Sequence, residues 1–136
     1  MLLWGIKDIS LFDIWTFIHL LSGIAIGAAL LWLTKTDNKK IQTKKIIIST
    51  LLIAFLWEIL EYSFEIGIFG STISNWFYAV EFLPNRLIID PLTVLFGGII
   101  AIKKPKLGIP SAVLAMIFLL IHIFIFPNVV YLQRLI

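Results

Sequence analysis

The 136-residue chain has no cysteine, which excludes a disulfide framework, a thiolate metal site and a thiol nucleophile. Charge is scarce as well. Only 14% of residues are Asp, Glu, Lys or Arg, against about 25% in a soluble domain. A chain this poor in polar groups cannot cover its own surface with them, so it must face lipid. That excludes an ordinary soluble enzyme, a disordered tail and a free nucleic-acid binder. The first residues, Met1-Leu2-Leu3-Trp4, carry no basic stretch, and no small-residue cleavage site follows a short apolar core. A cleavable leader is therefore not expected. No internal repeat or low-complexity linker interrupts the chain, and the length fits one domain spanning residues 1–136.

What is abundant is apolar side chain: 60% of residues are hydrophobic and the mean hydropathy is +1.04. A helix crossing a hydrocarbon core about 30 Å thick needs roughly 20 such residues. Four stretches qualify, at about 14–33, 46–66, 85–102 and 109–126, the last ending at Pro127-Asn128. The predicted fold is an all-α, polytopic four-helix membrane bundle. Eight of the nine lysines (35, 39, 40, 44, 45, 103, 104 and 106) fall between spans one and two or between spans three and four. The positive-inside rule makes that side cytoplasmic. An inner-membrane, multi-pass protein with both termini outside is expected, and the basic residues read as topology signals rather than a nucleic-acid patch. The outer segment from about 67 to 84 holds Trp76, Phe77, Tyr78 and Phe82, an interfacial aromatic belt or a short helix in the membrane plane.

Placed on these directed helices at about 1.5 Å per residue, the ionisable groups converge. Asp13 opens span one as a helix cap, with His19 about 9 Å deeper. Glu58, Glu61 and Glu65 form one stripe on the outer half of span two, since residues three or seven apart share a helix face, and Tyr62 lies beside it. Asn85, Arg86 and Asp90 open span three, and His122 lies near the outer end of span four, where a core role is the simpler reading. Carboxylates inside a membrane are functional by default, because their insertion is unfavourable unless they line a wet cavity, share protons, bind metal or pair with a cation. Glu61 and Glu65 also read as residues snorkelling to the interface. Arg86 is the only cation expected near the site besides the histidines, suited to a lipid phosphate or to Glu81 or Asp90.

Two backbone features bear on packing. Gly23 and Gly27 are spaced for close helix approach, within the bundle or across a homo-oligomer seam. Asp90-Pro91 reads as a cap followed by a proline at the first helical position, so span three is expected to kink at Pro91 or to enter the membrane non-helically over 85–89.

The order of His19, then Trp57-Glu58-Ile59-Leu60-Glu61, then Asn85-Arg86, Asp90 and Gly97-Gly98 resembles the VanZ-like (teicoplanin-resistance) family of small inner-membrane proteins. The resemblance covers about residues 13–98 and implies a polytopic fold with a polar membrane site on the matching residues. Val94 stands at the family's Asn position, Glu61 replaces its common Gln, and Asp13 lies further before His19 than in the family pattern. Glu58-Ile59-Leu60 followed by Glu65 is also similar to the metal-binding span of bacterial diacylglycerol kinase. Residues 61–63 depart from that pattern, its Lys-Asp motif is missing, and its site must face cytoplasmic ATP.

These readings define the expected site. Glu58, His19 and Asp90 are the catalytic candidates. Arg86, Glu61, Asn85, Tyr62 and Glu65 are binding candidates, and Glu58, Glu61, His19 and Asp90 could ligate a divalent metal such as Mg, Mn or Zn. The expected function is that of a small membrane protein with a carboxylate-rich cavity near the outer leaflet, an enzyme on lipid or lipid-linked envelope substrates. A structural or partner-binding subunit and a proton or cation transport component are the alternatives.

Overall fold

In a computed structural model, which describes residues 2–77 and 80–124, the chain is mostly helical. Tyr78, the side chain of His122 and the Pro127-Asn128 stop lie outside the described residues. The elements are β1 (Leu2–Trp4), β2 (Ser10–Phe12), α1 (Ile14–Leu33), α2 (Lys39–Glu65), α3 (Ser71–Phe77), a π-turn (Asn85–Ile89), α4 (Asp90–Lys103), a 3-10 turn (Pro105–Leu107) and α5 (Gly108–Phe124). Three of the helical stretches, Ile14–Leu33, Lys39–Glu65 and Asn85–Lys103, are long and apolar enough to cross a membrane, and α5 is shorter.

The N-terminal residues correct a purely α-helical reading. β1 and β2 pair in parallel, Leu2 opposite Ser10 and Trp4 opposite Phe12, which folds residues 5–9 into a compact connection. Asp13 then caps α1: its carboxylate accepts from the N–H groups of Trp15 at 2.8 Å and Thr16 at 3.2 Å, while Thr16 Oγ1 accepts from the Asp13 N–H. This reciprocal pair satisfies donors that a helix start leaves bare.

α2 starts earlier than the hydrophobic run suggests. Asn38 caps it through Lys40 and Ile41 N–H groups, so Lys39, Lys40, Lys44 and Lys45 occupy its first turns rather than a loop. At the other end Gly67 takes φ +81, a left-handed turn natural to glycine, with Gly67 N–H bonded to the Phe64 carbonyl and Ile68 N–H to that of Ser63. The chain direction thus places all eight of those lysines at one end of the bundle and the starts of α1 and α4 at the other.

The third span is helical throughout, which corrects the non-helical entry expected over 85–89. Asp90 N–H bonds to the Asn85 carbonyl, a π-type step, and the backbone continues into α4 without a side-chain cap from Asp90. Pro91 explains the step. Its ring collides with the carbonyl four residues back in a regular α-helix and it has no N–H to donate; the wider π-turn just before it relieves that conflict.

α1 lies along α4, with α5 on one side of that pair and α2 on the other. Glycines let the α1 and α4 backbones meet. A Cβ added at Gly23 would come 2.1 Å from the Val94 carbonyl oxygen, at Gly27 2.7 Å from Gly98 Cα, and at Gly97 2.4 Å from the Leu20 carbonyl oxygen. The Gly23/Gly27 face is therefore filled by α4 of the same chain.

Burial is inverted relative to a soluble protein. Among the described residues the buried hydrophobic ones are only Ile24, Ile46, Ala54, Val94 and Ala101, whereas Leu56, Ile59, Trp32 and Ile109 point outward at 65–80% exposure. Such an exterior suits lipid, and the polar groups turn inward.

Candidate functional site

The inward-facing polar groups collect where α1 and α4 begin and α2 ends. α2 supplies Glu58, Glu61 and Glu65, all buried, as their spacing on one stripe requires. Neither Glu61 nor Glu65 snorkels outward. α1 brings His19, the π-turn brings Asn85 and Arg86, and Asp90 heads α4; each of these four is buried too. Tyr62 stays near the surface, its ring 5.2 Å from the Arg86 guanidinium.

Two residues that the hydropathy pattern left aside complete the cluster. Lys7, from the connection between β1 and β2, is 4% exposed, and its Nζ lies 2.8 Å from Glu61 Oε1 and also contacts Glu65. Arg86 is therefore not the sole permanent cation. Glu81, from the segment between α3 and the π-turn, is 5% exposed and accepts from Asn85 Nδ2 at 2.9 Å. One sequence signal pointed to Lys7: it is the only lysine outside the two cationic stretches, so topology did not account for it. Glu81 carried no periodic signal.

The ion pairs fall into a definite order. Arg86 Nη2 donates to Glu65 Oε2 at 2.5 Å and lies 3.4 Å from Glu81 Oε2, while its Nε is 3.6 Å from Glu58 Oε2 without hydrogen-bonding geometry. Glu65 Oε2 also accepts from the Glu81 N–H at 3.2 Å. Glu61 accepts from Lys7 and, through Oε2, from Trp57 Nε1 at 2.9 Å. The N-terminal segment is tied in by its backbone as well, since Phe82 N–H donates to the Lys7 carbonyl at 3.0 Å. Lys7 also lies 5.4 Å from the Phe77 ring centre, so α3 lines this end of the bundle.

Outside the spanning helices the electrostatic consequences are plain. Burial alone would lower the Lys7 ammonium, but the Glu61 and Glu65 carboxylates beside it outweigh burial and raise it above the ordinary lysine value. Burial, helped by the nearby Glu61 charge, pushes the Glu81 carboxyl up to about 7. Burial also raises the Asp13 carboxyl, against the lowering effect of its two backbone hydrogen bonds.

With Lys7 and Arg86 committed to Glu61 and Glu65, bare oxygens remain on Glu58, Glu81 and Asp90, besides Asp13 Oδ2 and the Glu65 Oε1 that Lys7 contacts. Both oxygens of Glu58, both of Asp90 and Oε2 of Glu81 are buried without a hydrogen bond, and so is Oδ1 of Asn85. His19 Nε2 sits 3.3 Å from Asp90 Oδ2, close enough to pair when the imidazole is protonated. The four expected metal ligands do not meet at one point. Ligand-type atoms gather instead in two overlapping groups, His19 with Glu58 and Glu61, and Glu58 with Glu81 and Asp90, the atoms of each lying within 4.8 Å of one another.

Beside the cluster opens a cleft of about 440 Å³ between the helices, its long walls formed by residues such as Ile18, Ala25, Ile53 and Met116 and its polar end by Lys7, His19 and Glu61. A smaller groove of about 250 Å³ reaches Glu58 and Arg86 past Tyr62 and Leu87. No protein-family model, no curated protein and no solved structure matches the chain.

Proposed function

We propose that this is a four-span inner-membrane enzyme whose acidic chamber, near the outer leaflet, acts on a lipid or lipid-linked envelope substrate. The observation that carries the reading is the cleft: apolar along its length and ended by Lys7, His19 and Glu61, it matches a molecule with a hydrocarbon chain and a polar head. The outer placement follows from the lysines, which lie at the opposite end of the bundle and mark the cytoplasmic side. The VanZ-like resemblance of His19, Glu58, Glu61, Arg86 and Asp90 implies a polar membrane site on these residues and leaves the activity open.

In this reading the apolar chain lies along α1 and α5, and Lys7 and His19 meet the anionic or polar head. Glu58 is the acid best placed to take a proton from water or a substrate hydroxyl. It adjoins Glu61 at the cleft end, and neither of its oxygens is engaged in a hydrogen bond. Arg86, between Glu58 and Glu65, holds the chamber together and offers charge to a headgroup phosphate through the smaller groove.

The test is native mass spectrometry of the protein released from lipid nanodiscs, with headgroup release assayed on the lipid class it retains. Retained lipid is expected in the wild type and lost in Ala25→Trp, which fills the cleft; headgroup release is expected to fall at least about a hundredfold in Glu58→Gln. Lipid-free wild-type protein, or unchanged turnover in Glu58→Gln and His19→Ala, overturns the reading. A locking role for the cluster in a partner-binding subunit is the second reading, favoured by the many internal ion pairs. Transport is the weaker alternative. Among the described residues every buried ionisable group lies at one end of the bundle, so no polar path continues to the lysine end.

A further inference from the structure

We propose that Glu58, Glu81 and Asp90 form a buried, all-oxygen site for one divalent cation, with Asn85 Oδ1 as an additional donor. Three atoms no more than 4.8 Å apart share a centre within about 2.8 Å of each. That ceiling leaves room for Ca–O contacts of about 2.3–2.6 Å and Mg–O contacts of about 2.0–2.1 Å alike. Oxygen-only donors also favour these hard cations over Zn²⁺.

The second observation is independent of the clustering. Five carboxylate oxygens of the three acids and the Asn85 carbonyl oxygen are buried with no hydrogen bond, while the Asn85 amide nitrogen is engaged by Glu81. Buried polar atoms are nearly always partnered, so a group of bare acceptors from three elements calls for something electropositive between them. The surrounding cations do not supply it. Lys7 is bonded to Glu61 and Glu65; Arg86 is bonded to Glu65, reaches Glu81 only at 3.4 Å and approaches Glu58 at 3.6 Å outside hydrogen-bonding geometry. His19 faces Asp90 Oδ2 from α1. With Lys7 and Arg86 committed to Glu61 and Glu65, a dication would offset two of the three remaining negative charges.

The alternative occupant is a set of shared protons, and the second possible shell is His19 with Glu58 and Glu61. Mn²⁺ titrated into chelator-treated, full-length protein in phosphatidylcholine nanodiscs separates all three. The expected result is about one bound Mn²⁺ per chain by electron paramagnetic resonance, displaced by Ca²⁺, with no directly bonded nitrogen coupling in the echo modulation. Glu81→Gln and Asp90→Asn should each weaken binding at least about tenfold, with Asp37→Asn, in the exposed lysine-end connection, as the unchanged control. Absence of bound Mn²⁺ overturns the site in favour of shared protons. A nitrogen coupling assigns the metal to the His19 shell instead, and undiminished binding in folded Glu81→Gln removes Glu81 as a ligand. The wild-type spectrum decides between the shells even where a variant does not fold. Because it reads the cation without any substrate, its failure is separate from failure of the lipid reading.

Discussion

Along α1 and α4, Gly23, Gly27 and Gly97 bring two backbones so close that an added methyl group would collide. About one turn further toward the start of α1, the same helix pair sets His19 against Asp90, among residues of opposite character. The glycine seam has no charged group to satisfy and is held by shape, as helix contacts in lipid commonly are. The acidic chamber is held by compensation, in which Lys7 and Arg86 hold Glu61 and Glu65 in place. One region tolerates no added volume and the other no lost partner. Two kinds of sensitivity follow, and they can be measured apart.

The largest effects are expected in the chamber. Removing one member of a buried ion pair costs about 3–5 kcal/mol because the other is left charged and alone. Arg86→Ala should therefore lower stability by about that amount in mixed-micelle denaturation, since Glu65 loses its hydrogen bond from the Arg86 guanidinium. Lys7→Met is expected to act similarly, and it adds a pH signature. The folded protein raises Lys7 above its ordinary value of 10.5, so the folded state binds this proton more tightly than the unfolded chain does. The stabilisation is then complete below about pH 10.5 and is lost as pH climbs through the raised value. Wild-type stability should fall over that alkaline range, and Lys7→Met should lack this part of the fall. A wild type with a flat alkaline profile would detach Lys7 from the chamber.

Smaller effects belong to the seam. Gly97→Val places new carbon against the Leu20 carbonyl oxygen and should cost about 1–3 kcal/mol or more by overpacking. Its signature differs from that of the chamber variants: it is expected to be independent of pH and salt. The smallest effect is expected on the lipid face. Ile59→Val, at a side chain 65% exposed, should change stability by no more than about 0.5 kcal/mol. A loss comparable to Gly97→Val there would mean that this face is covered by protein rather than lipid.

How much of this was legible beforehand depended on whether a residue belonged to a periodic segment. Glu58, Glu61 and Glu65 share a face by helical spacing, so their convergence could be read directly, as could the cap at Asp13 and the close approach at Gly23 and Gly27. Lys7 and Glu81 sit in connecting segments, where no period tells which way a side chain faces, and only the tertiary return of the chain brings them in. Asp90 was misread for a local reason. A polar residue before proline looks like a helix start, but the π-turn lets the helix run through it and frees the carboxylate from capping. The lysines of α2 lie before the apolar run of the second span, and hydropathy alone does not show that the helix already starts at the Asn38 cap.

The position of Lys7 at the front of the chain also bears on biogenesis. A membrane protein emerges from the ribosome N-terminus first, and here the three glutamates of α2 are made before the arginine that neutralises them. Glu65 precedes Arg86 by 21 residues, a delay on the order of seconds at ordinary rates of synthesis. During that interval Lys7 is the one permanent cation of the cluster already in existence. Among the permanent cations of the cluster, Lys7 is thus the countercharge that already exists for the second span before Arg86 is made.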